Sequence, residues 1–293
     1  MKRQLTSWRV GKILWSFLRF VIIFGLAFII LNPMVYKFFA AFMSRNDLIN
    51  PAVSQIPLEW STHFWSSAIK QMRLPESLFN TFGLSFIVGV LQVAVVTMAG
   101  YGLGRFKFKG RGLVFLVVIL IMLIPPSITS TAQYVRFAFF GIGNIQINIL
   151  DTYWPLIILA ATGTNIKNGL YIYLMREFFR TMPGNLEEAA YIDGCGFIQA
   201  FFRVMVPNAK GMMTTVFLFS FCWQWSENSY ARMYFSEMPL FGNIFATIGG
   251  NSTLETTIVR NAAALLISLP LLILFLIFQR TLVKSVTLSG LAN

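Results

Sequence analysis

Few side chains in this chain can do polar chemistry, and their positions narrow what that chemistry is. Lys167 lies inside a long apolar run and Glu227 borders another, while Glu187, Glu188 and Asp193 cluster in a polar stretch between two such runs. A lysine at the centre of a bilayer costs roughly 2.5–3.5 kcal/mol on insertion scales, so Lys167 must face protein or a watery cavity. Thr164, Lys167 or Asn168, and Tyr171 share a face at helical spacing. The next run adds Trp223, Gln224, Glu227 and Asn228. Aromatic faces beside amides and charges are what a passing sugar can stack on and hydrogen-bond to. Counted from the ends of their runs, Lys167 and Glu227 differ in depth by about 14 Å, too far for a direct pair. Two readings of Lys167 stay open: it bonds backbone carbonyls or an acid of a partner subunit, or it attracts an anionic sugar.

Covalent chemistry finds no footing. A single histidine, His63, rules out zinc sites built on paired histidines and bis-histidine haem ligation. No G-x-x-x-x-G-K-[ST] phosphate loop and no G-x-S-x-G elbow is present. Ser67-Ala68-Ile69-Lys70 matches S-x-x-K at two fixed positions and reads as a polar helix carrying both residues. We therefore expect no catalytic residue, no metal site and no cofactor on this chain. Cys195 and Cys222 fall on the cytoplasmic and membrane sides, so no structural disulfide is expected.

The elements that hold these residues follow from composition. Charged residues make up 12% of the 293, against about 25% in an ordinary soluble domain. With 56% hydrophobic residues and a mean hydropathy of +0.68, a secreted domain, a cytosolic enzyme and a nucleic-acid binder are excluded. Six apolar runs, at 13–42, 81–103, 113–135, 155–175, 212–229 and 262–280, approach the roughly 20 residues a spanning helix needs. They predict an all-α polytopic membrane protein with six transmembrane helices. The first run follows Lys2, Arg3, Arg9 and Lys12 like a signal peptide, but its length and the lack of a small-x-small cleavage site make it a retained span. Gly100 and Gly104 form a G-x-x-x-G pair that predicts close helix packing.

With a cytoplasmic N-terminus, the inside segments hold fifteen bases against four acids and the outside segments seven against six. This is positive-inside topology with both termini cytoplasmic, and it accounts for most of the net charge of +12. The expected organisation is an N-terminal segment, 1–74, with the first span; a core, 75–282, with five spans and a cytoplasmic loop at 176–210; and a cytoplasmic tail, 283–293.

Within that loop, residues 183–207 read PGNLEEAAYIDGCGFIQAFFRVMVP. Pro183-Gly184 breaks the preceding helix, and Asn185 with Glu188 predicts a capping box that opens a short one. Glu187 and Glu188 then occupy the first turn, where the helix dipole favours negative charge. Asp193-Gly194 predicts its stop, and a second short helix over 197–205 should end at Pro207. An amphipathic pair resting on the inner leaflet is the plain alternative, but acids suit an anionic leaflet poorly. The loop reads as a docking surface for protein.

Glu188-Ala189-Ala190-Tyr191-Ile192-Asp193-Gly194, followed by twelve residues and Pro207, resembles the EAA loop of ATP-binding-cassette (ABC) importer permeases. Asn80-Thr81, the stretch 99–111 (AGYGLGRFKFKGR), Ile124-Pro125-Pro126 and Leu150-Asp151-Thr152-Tyr153-Trp154 resemble the sugar-importing, maltose-permease-like branch, and the similarity runs from about Pro75 to Arg280. The resemblance implies a type I ABC importer permease fold in the bacterial cytoplasmic (inner) membrane. It also implies a second homologous permease subunit, two ABC ATPase subunits carrying ATP and Mg, and an extracytoplasmic sugar-binding protein. Membrane lipid surrounds such a chain and nucleic acid is no partner. ATPase coupling falls to Glu187, Glu188, Ala189, Ala190, Asp193, Gly194 and Pro207, and docking of the binding protein to the loop 232–260, at Gly249, Gly250 and Asn251. The tail would touch the ATPase interface. Cys195-Gly196 departs from relatives, which often have Ala and a polar residue there; the extra glycine loosens the hinge. An acidic oligosaccharide such as alginate and a neutral malto-oligosaccharide both remain open as substrate. The rival class, an ion-coupled secondary transporter, would want several intramembrane carboxylates and leaves the loop unexplained.

Overall fold

The computed structural model describes residues 2–53, 55–143, 145–248 and 253–290. Helix α1 (Lys2–Ala40) opens on the basic residues Lys2, Arg3, Arg9 and Lys12 and is mostly apolar from Ile13 onward. It is followed by α2 (Arg45–Ile49), whose Ser44 cap accepts the Asp47 N–H at 3.1 Å, and by α3 (His63–Gln71). Helix α4 (Leu74–Arg105) begins with a proline in its first turn, where the missing N–H costs nothing, and carries Glu76 at its start and Arg105 at its end, matching the helix dipole. Next come α5 (Arg111–Leu123), α6 (Pro126–Ala138) and a hairpin of β1 (Phe140–Ile142) and β2 (Ile145–Ile147), paired antiparallel with Phe140 opposite Ile147. Helices α7 (Trp154–Ala161) and α8 (Asn168–Thr181) precede the loop helix α9 (Asn185–Ile192). Then α10 (Phe197–Ala200), a π-helical turn (Phe201–Met205) and α11 (Val206–Asn208) lead into α12 (Lys210–Trp225). The chain closes with α13 (Ser229–Tyr234), α14 (Phe241–Thr247) and α15 (Leu254–Gly290).

The prediction of six spanning helices is corrected. Among the described residues three helical stretches are long and apolar enough to cross a membrane, Gly11–Ala40, Leu74–Arg105 and Leu254–Gln279. The count reaches four if Arg111–Leu123 and Ser127–Ala138, bent by 95°, form one span. That bend falls at Ile124-Pro125-Pro126, because the residue before a proline is pushed out of the helical region and the proline offers no N–H. The run 155–175 is two helices separated by six irregular residues, described below. The run 212–229 yields only α12, whose 16 residues rise about 24 Å, short of the ~30 Å hydrocarbon core. Apolarity was present in all six runs; uninterrupted helix was not.

Two compact units are formed. The first comprises Met1–Gln71 with Thr247–Ser268 and is tied by an Arg45–Glu255 ion pair at 2.9 Å and by Arg260 donating to the Ile248 carbonyl at 2.7 Å. The second comprises Met72–Ala246 with Leu269–Asn293 and contains the residues expected to do chemistry, apart from the proposed docking glycines. In it α4 packs along α7, α8 and α12. One buried cluster joins Val96, Tyr101, Tyr171, Met175, Phe179, Phe201 and Val216; a second joins Val88, Phe137, Leu156, Tyr230, Tyr234 and Leu240. The G-x-x-x-G pair lies on the seam. A Cβ on Gly100 would stand 2.5 Å from the Met175 Cβ, and one on Gly104 3.0 Å from the Arg176 carbonyl oxygen. Only glycine lets the two backbones approach this closely.

Candidate functional site

Two places gather polar groups, one at each end of the α4–α8 contact. The first is the break between α7 and α8. Thr162 and Thr164 turn back on the end of α7: the Thr162 hydroxyl donates to Ile158 O at 2.7 Å, and the Thr164 N–H to Leu159 O at 2.9 Å. Gly163 and Lys167 take positive φ, +72° and +63°, so the chain cannot continue as a helix here. Asn165 Oδ1 accepts the Ile166 N–H at 2.8 Å. Irregular backbone within a membrane protein is tolerated where it is packed in protein or lines a cavity, and this one does both. A cavity of about 320 Å³ is bordered by Thr164, Asn165, Lys167 and Asn168 from the break, by Thr129 and Gln133 of α6, and by Tyr230 of α13.

From α4, Gln92 reaches into the break. Its Nε2 donates to the Ile166 carbonyl at 3.1 Å and to Asn168 Oδ1, and its Oε1 accepts the Ser220 hydroxyl of α12. Gln92, Asn168 and Ser220 are all buried. A neutral amide relay suits this burial, since a buried polar group is costly when it lacks partners, and within the relay only Asn168 Nδ2 does.

Lys167 is exposed, and its ammonium lies 4.7 Å from the centre of the Trp223 ring. That ring supplies part of the stabilisation a cation needs here. No ion pair joins Lys167 to Glu227 among the described residues. Glu227 Oε1 instead accepts the N–H groups of Ser229 (2.5 Å) and Tyr230 (3.0 Å), capping the start of α13, with Asn228 exposed at the cap position. Thr164, Lys167 and Asn168 meet at the cavity. Tyr171 is fully buried among apolar neighbours, and Gln224 is buried within α12.

The second place is the loop. Helix α9 starts one residue earlier than predicted: Gly184 is the cap, and its carbonyl accepts the N–H groups of Glu187 (3.0 Å) and Glu188 (3.2 Å). The expected Asn185–Glu188 capping box is absent because Asn185 is already helical. Gly194, at φ +79°, stops the helix as predicted. The next helix does not end at Pro207. The Val206 N–H reaches back five residues to Phe201 O, and the wider π turn carries the chain through the proline to Asn208. Pro207 itself is exposed.

The acidic cluster is divided. Glu188, Ala189, Asp193 and Gly194 are exposed beside Tyr191 and Ile192, the latter 85% exposed, whereas Ala190 is buried. Glu187 turns inward to Arg105, the last residue of α4, with Nε to Oε2 at 3.1 Å. The same guanidinium donates to Met182 O at 3.0 Å and Pro183 O at 3.1 Å. Below it Tyr101 packs against Phe106, Phe179, Phe197 and Phe201. Arg105 and Gln92 are the residues sequence reasoning missed; their partners are more than 70 residues away along the chain.

The remaining motif residues fasten the segment 236–241. Asn80 donates to Pro239 O at 3.2 Å and accepts the Tyr153 hydroxyl at 3.0 Å, and Thr81 Oγ1 accepts the Phe241 N–H at 3.0 Å. Asp151 accepts the Ser236 N–H at 2.6 Å, the Ser236 hydroxyl at 2.5 Å and the Glu237 N–H at 2.8 Å. Desolvation works against the Asp151 carboxylate, but these hydrogen bonds outweigh it and hold its pKa below the ordinary value. Gly249, Gly250 and Asn251, expected to dock a binding protein, lie outside the described residues. No group of three or more His, Cys, Asp or Glu able to hold a metal occurs among the described residues.

Residues 96–288 match the family described as "Binding-protein-dependent transport system inner membrane component". The chain is 27% identical over 282 residues to the probable ABC transporter permease protein YurM of Bacillus subtilis strain 168, covering 96% of this chain and 88% of that one. It is 26% identical over 272 residues to the maltodextrin transport system permease protein MdxG of the same organism, covering 90% and 92%. Among solved structures it is similar to a chain from a bacterial ABC transporter involved in the import of the acidic polysaccharide alginate. The TM-score is 0.76 at 19% identity, covering 92% of this chain and 97% of that one. That likeness is one of fold.

Proposed function

The chain belongs to the binding-protein-dependent transport system inner membrane components, and from that membership we propose that it is the permease subunit of an ATP-driven sugar importer. It forms half of the oligosaccharide pathway and works by alternating access. ATP hydrolysis, with its Mg, belongs to two separate ATPase subunits. A second homologous permease completes the pathway, and an extracytoplasmic sugar-binding protein delivers the cargo to the loop 232–260. We assign the chain to the bacterial cytoplasmic membrane, with the loop 176–210 on the cytoplasmic side, where an ATPase subunit can reach it.

The observation that carries this reading is the divided loop. Helix α9 is held from behind by Ala190 and Glu187 and turns Glu188, Tyr191, Ile192 and Asp193 outward. An edge that is both acidic and apolar suits a protein cleft better than an anionic lipid surface. ATP-driven closure of the ATPase pair would move α9 and, through it, the helices around the cavity.

For the cargo, Lys167 beside Thr164 and Asn168 supports an acidic oligosaccharide, in keeping with the alginate importer of similar fold. A neutral malto-oligosaccharide is the second reading. It is favoured by the hold of Trp223 on the Lys167 ammonium and by the name of the maltodextrin relative.

The docking assignment is tested by Glu188→Lys in the assembled complex. We expect loss of co-purifying ATPase subunits and of sugar-stimulated ATP hydrolysis. Full retention of both would refute the assignment.

A further inference from the structure

We infer that Arg105 is a positioning residue for coupling, the clamp through which α4 fixes the angle between α8 and the coupling helix α9. The inference rests on the docking role proposed for α9 and divides that role between two adjacent acids. Three contacts converge on one guanidinium: the Glu187 carboxylate at 3.1 Å, the Met182 carbonyl at 3.0 Å and the Pro183 carbonyl at 3.1 Å. Met182 caps the C-terminus of α8, where helix carbonyls lack partners within the helix. Glu187 lies in the first turn of α9. Arg105 thus closes the end of one helix and anchors the start of the next, a task that suits the planar fork of arginine and not a lysine.

The Arg105 and Glu187 side chains are only 13% and 16% exposed, so solvent screens the pair little. Glu188, one residue on, is exposed. Glu187 therefore faces its own chain and Glu188 faces the ATPase, although the sequence offers them as one acidic patch. Gln92 lies thirteen residues earlier on α4, about 20 Å along the helix, and bonds the cavity wall. A push on α9 accordingly enters a helix that also holds the substrate cavity.

The test uses the whole importer in proteoliposomes and reads sugar taken up per ATP hydrolysed, with ATPase subunit content measured alongside. Arg105→Glu and Glu187→Arg should each keep the ATPase subunits bound and lower uptake per ATP by roughly 3- to 30-fold. The double reversal should recover most of that loss, since the pair re-forms with opposite polarity. Single reversals with wild-type uptake per ATP, or a double variant no better than the worse single one, would overturn the clamp. If the reversals fail to assemble, Glu187→Gln and Arg105→Lys carry the same readout, and an unchanged ratio in both overturns it. Failure of the docking reading looks different: Glu188→Lys would then retain ATPase subunits and full uptake, whatever Arg105 does.

Discussion

The two ends of the α4–α8 contact are fastened by opposite chemistry. At the cavity end the ties are neutral, Ser220 to Gln92 to Asn168 and Ile166, every side chain buried. At the loop end the tie is a charged guanidinium shared between a carboxylate and two carbonyls. The difference goes with burial: Gln92, Asn168 and Ser220 are fully enclosed, whereas the Arg105 and Glu187 side chains keep 13% and 16% exposure. A charge deep in apolar surroundings is costly, whereas neutral amides are tolerated there when most of their polar atoms are paired, as all but Asn168 Nδ2 are in this relay. At the loop end the partly shielded Arg105–Glu187 ion pair adds charge attraction to the two directional hydrogen bonds from Arg105 to Met182 and Pro183. Between the ends, Gly100 and Gly104 let the two helices run backbone against backbone, so neither tie is isolated from the other.

The most disruptive way to break this comparison is at the seam. Gly100→Leu would drive a side chain into Met175 Cβ and the Arg176 backbone, and we expect a loss of about 3 kcal/mol or more. Thermal unfolding of the detergent-solubilised complex would register it, with both cavity and loop affected. A smaller and local effect is expected from Gln92→Leu, which leaves Ser220, Asn168 and the Ile166 carbonyl short of partners. The loss should be about 1–3 kcal/mol by the same measurement, with ATPase subunits still bound. Loss of ATPase binding in that variant would mean that the ends are not distinct.

Sequence punctuation carried the loop well. Pro183-Gly184 and Asp193-Gly194 bracket α9 to within a residue, because a proline and a left-handed glycine act locally. The same local logic missed the caps and breaks decided by geometry: Gly184 in place of Asn185, the π turn that absorbs Pro207, and the bend at Pro125-Pro126. Apolar composition alone predicts uninterrupted spans, yet Gly163 and Lys167 turn one of them into a lined cavity. Lys167 is legible in the sequence as an anomaly and Trp223 as a pathway candidate, but their contact with each other, and the roles of Gln92 and Arg105, come only from contacts between distant parts of the chain.

The most direct measurement is uptake of a labelled acidic oligosaccharide by proteoliposomes containing the full complex, with and without ATP and the binding protein. The account predicts accumulation that requires both and that fails with Glu188→Lys. Uptake that proceeds without ATP, driven by an ion gradient, would contradict it.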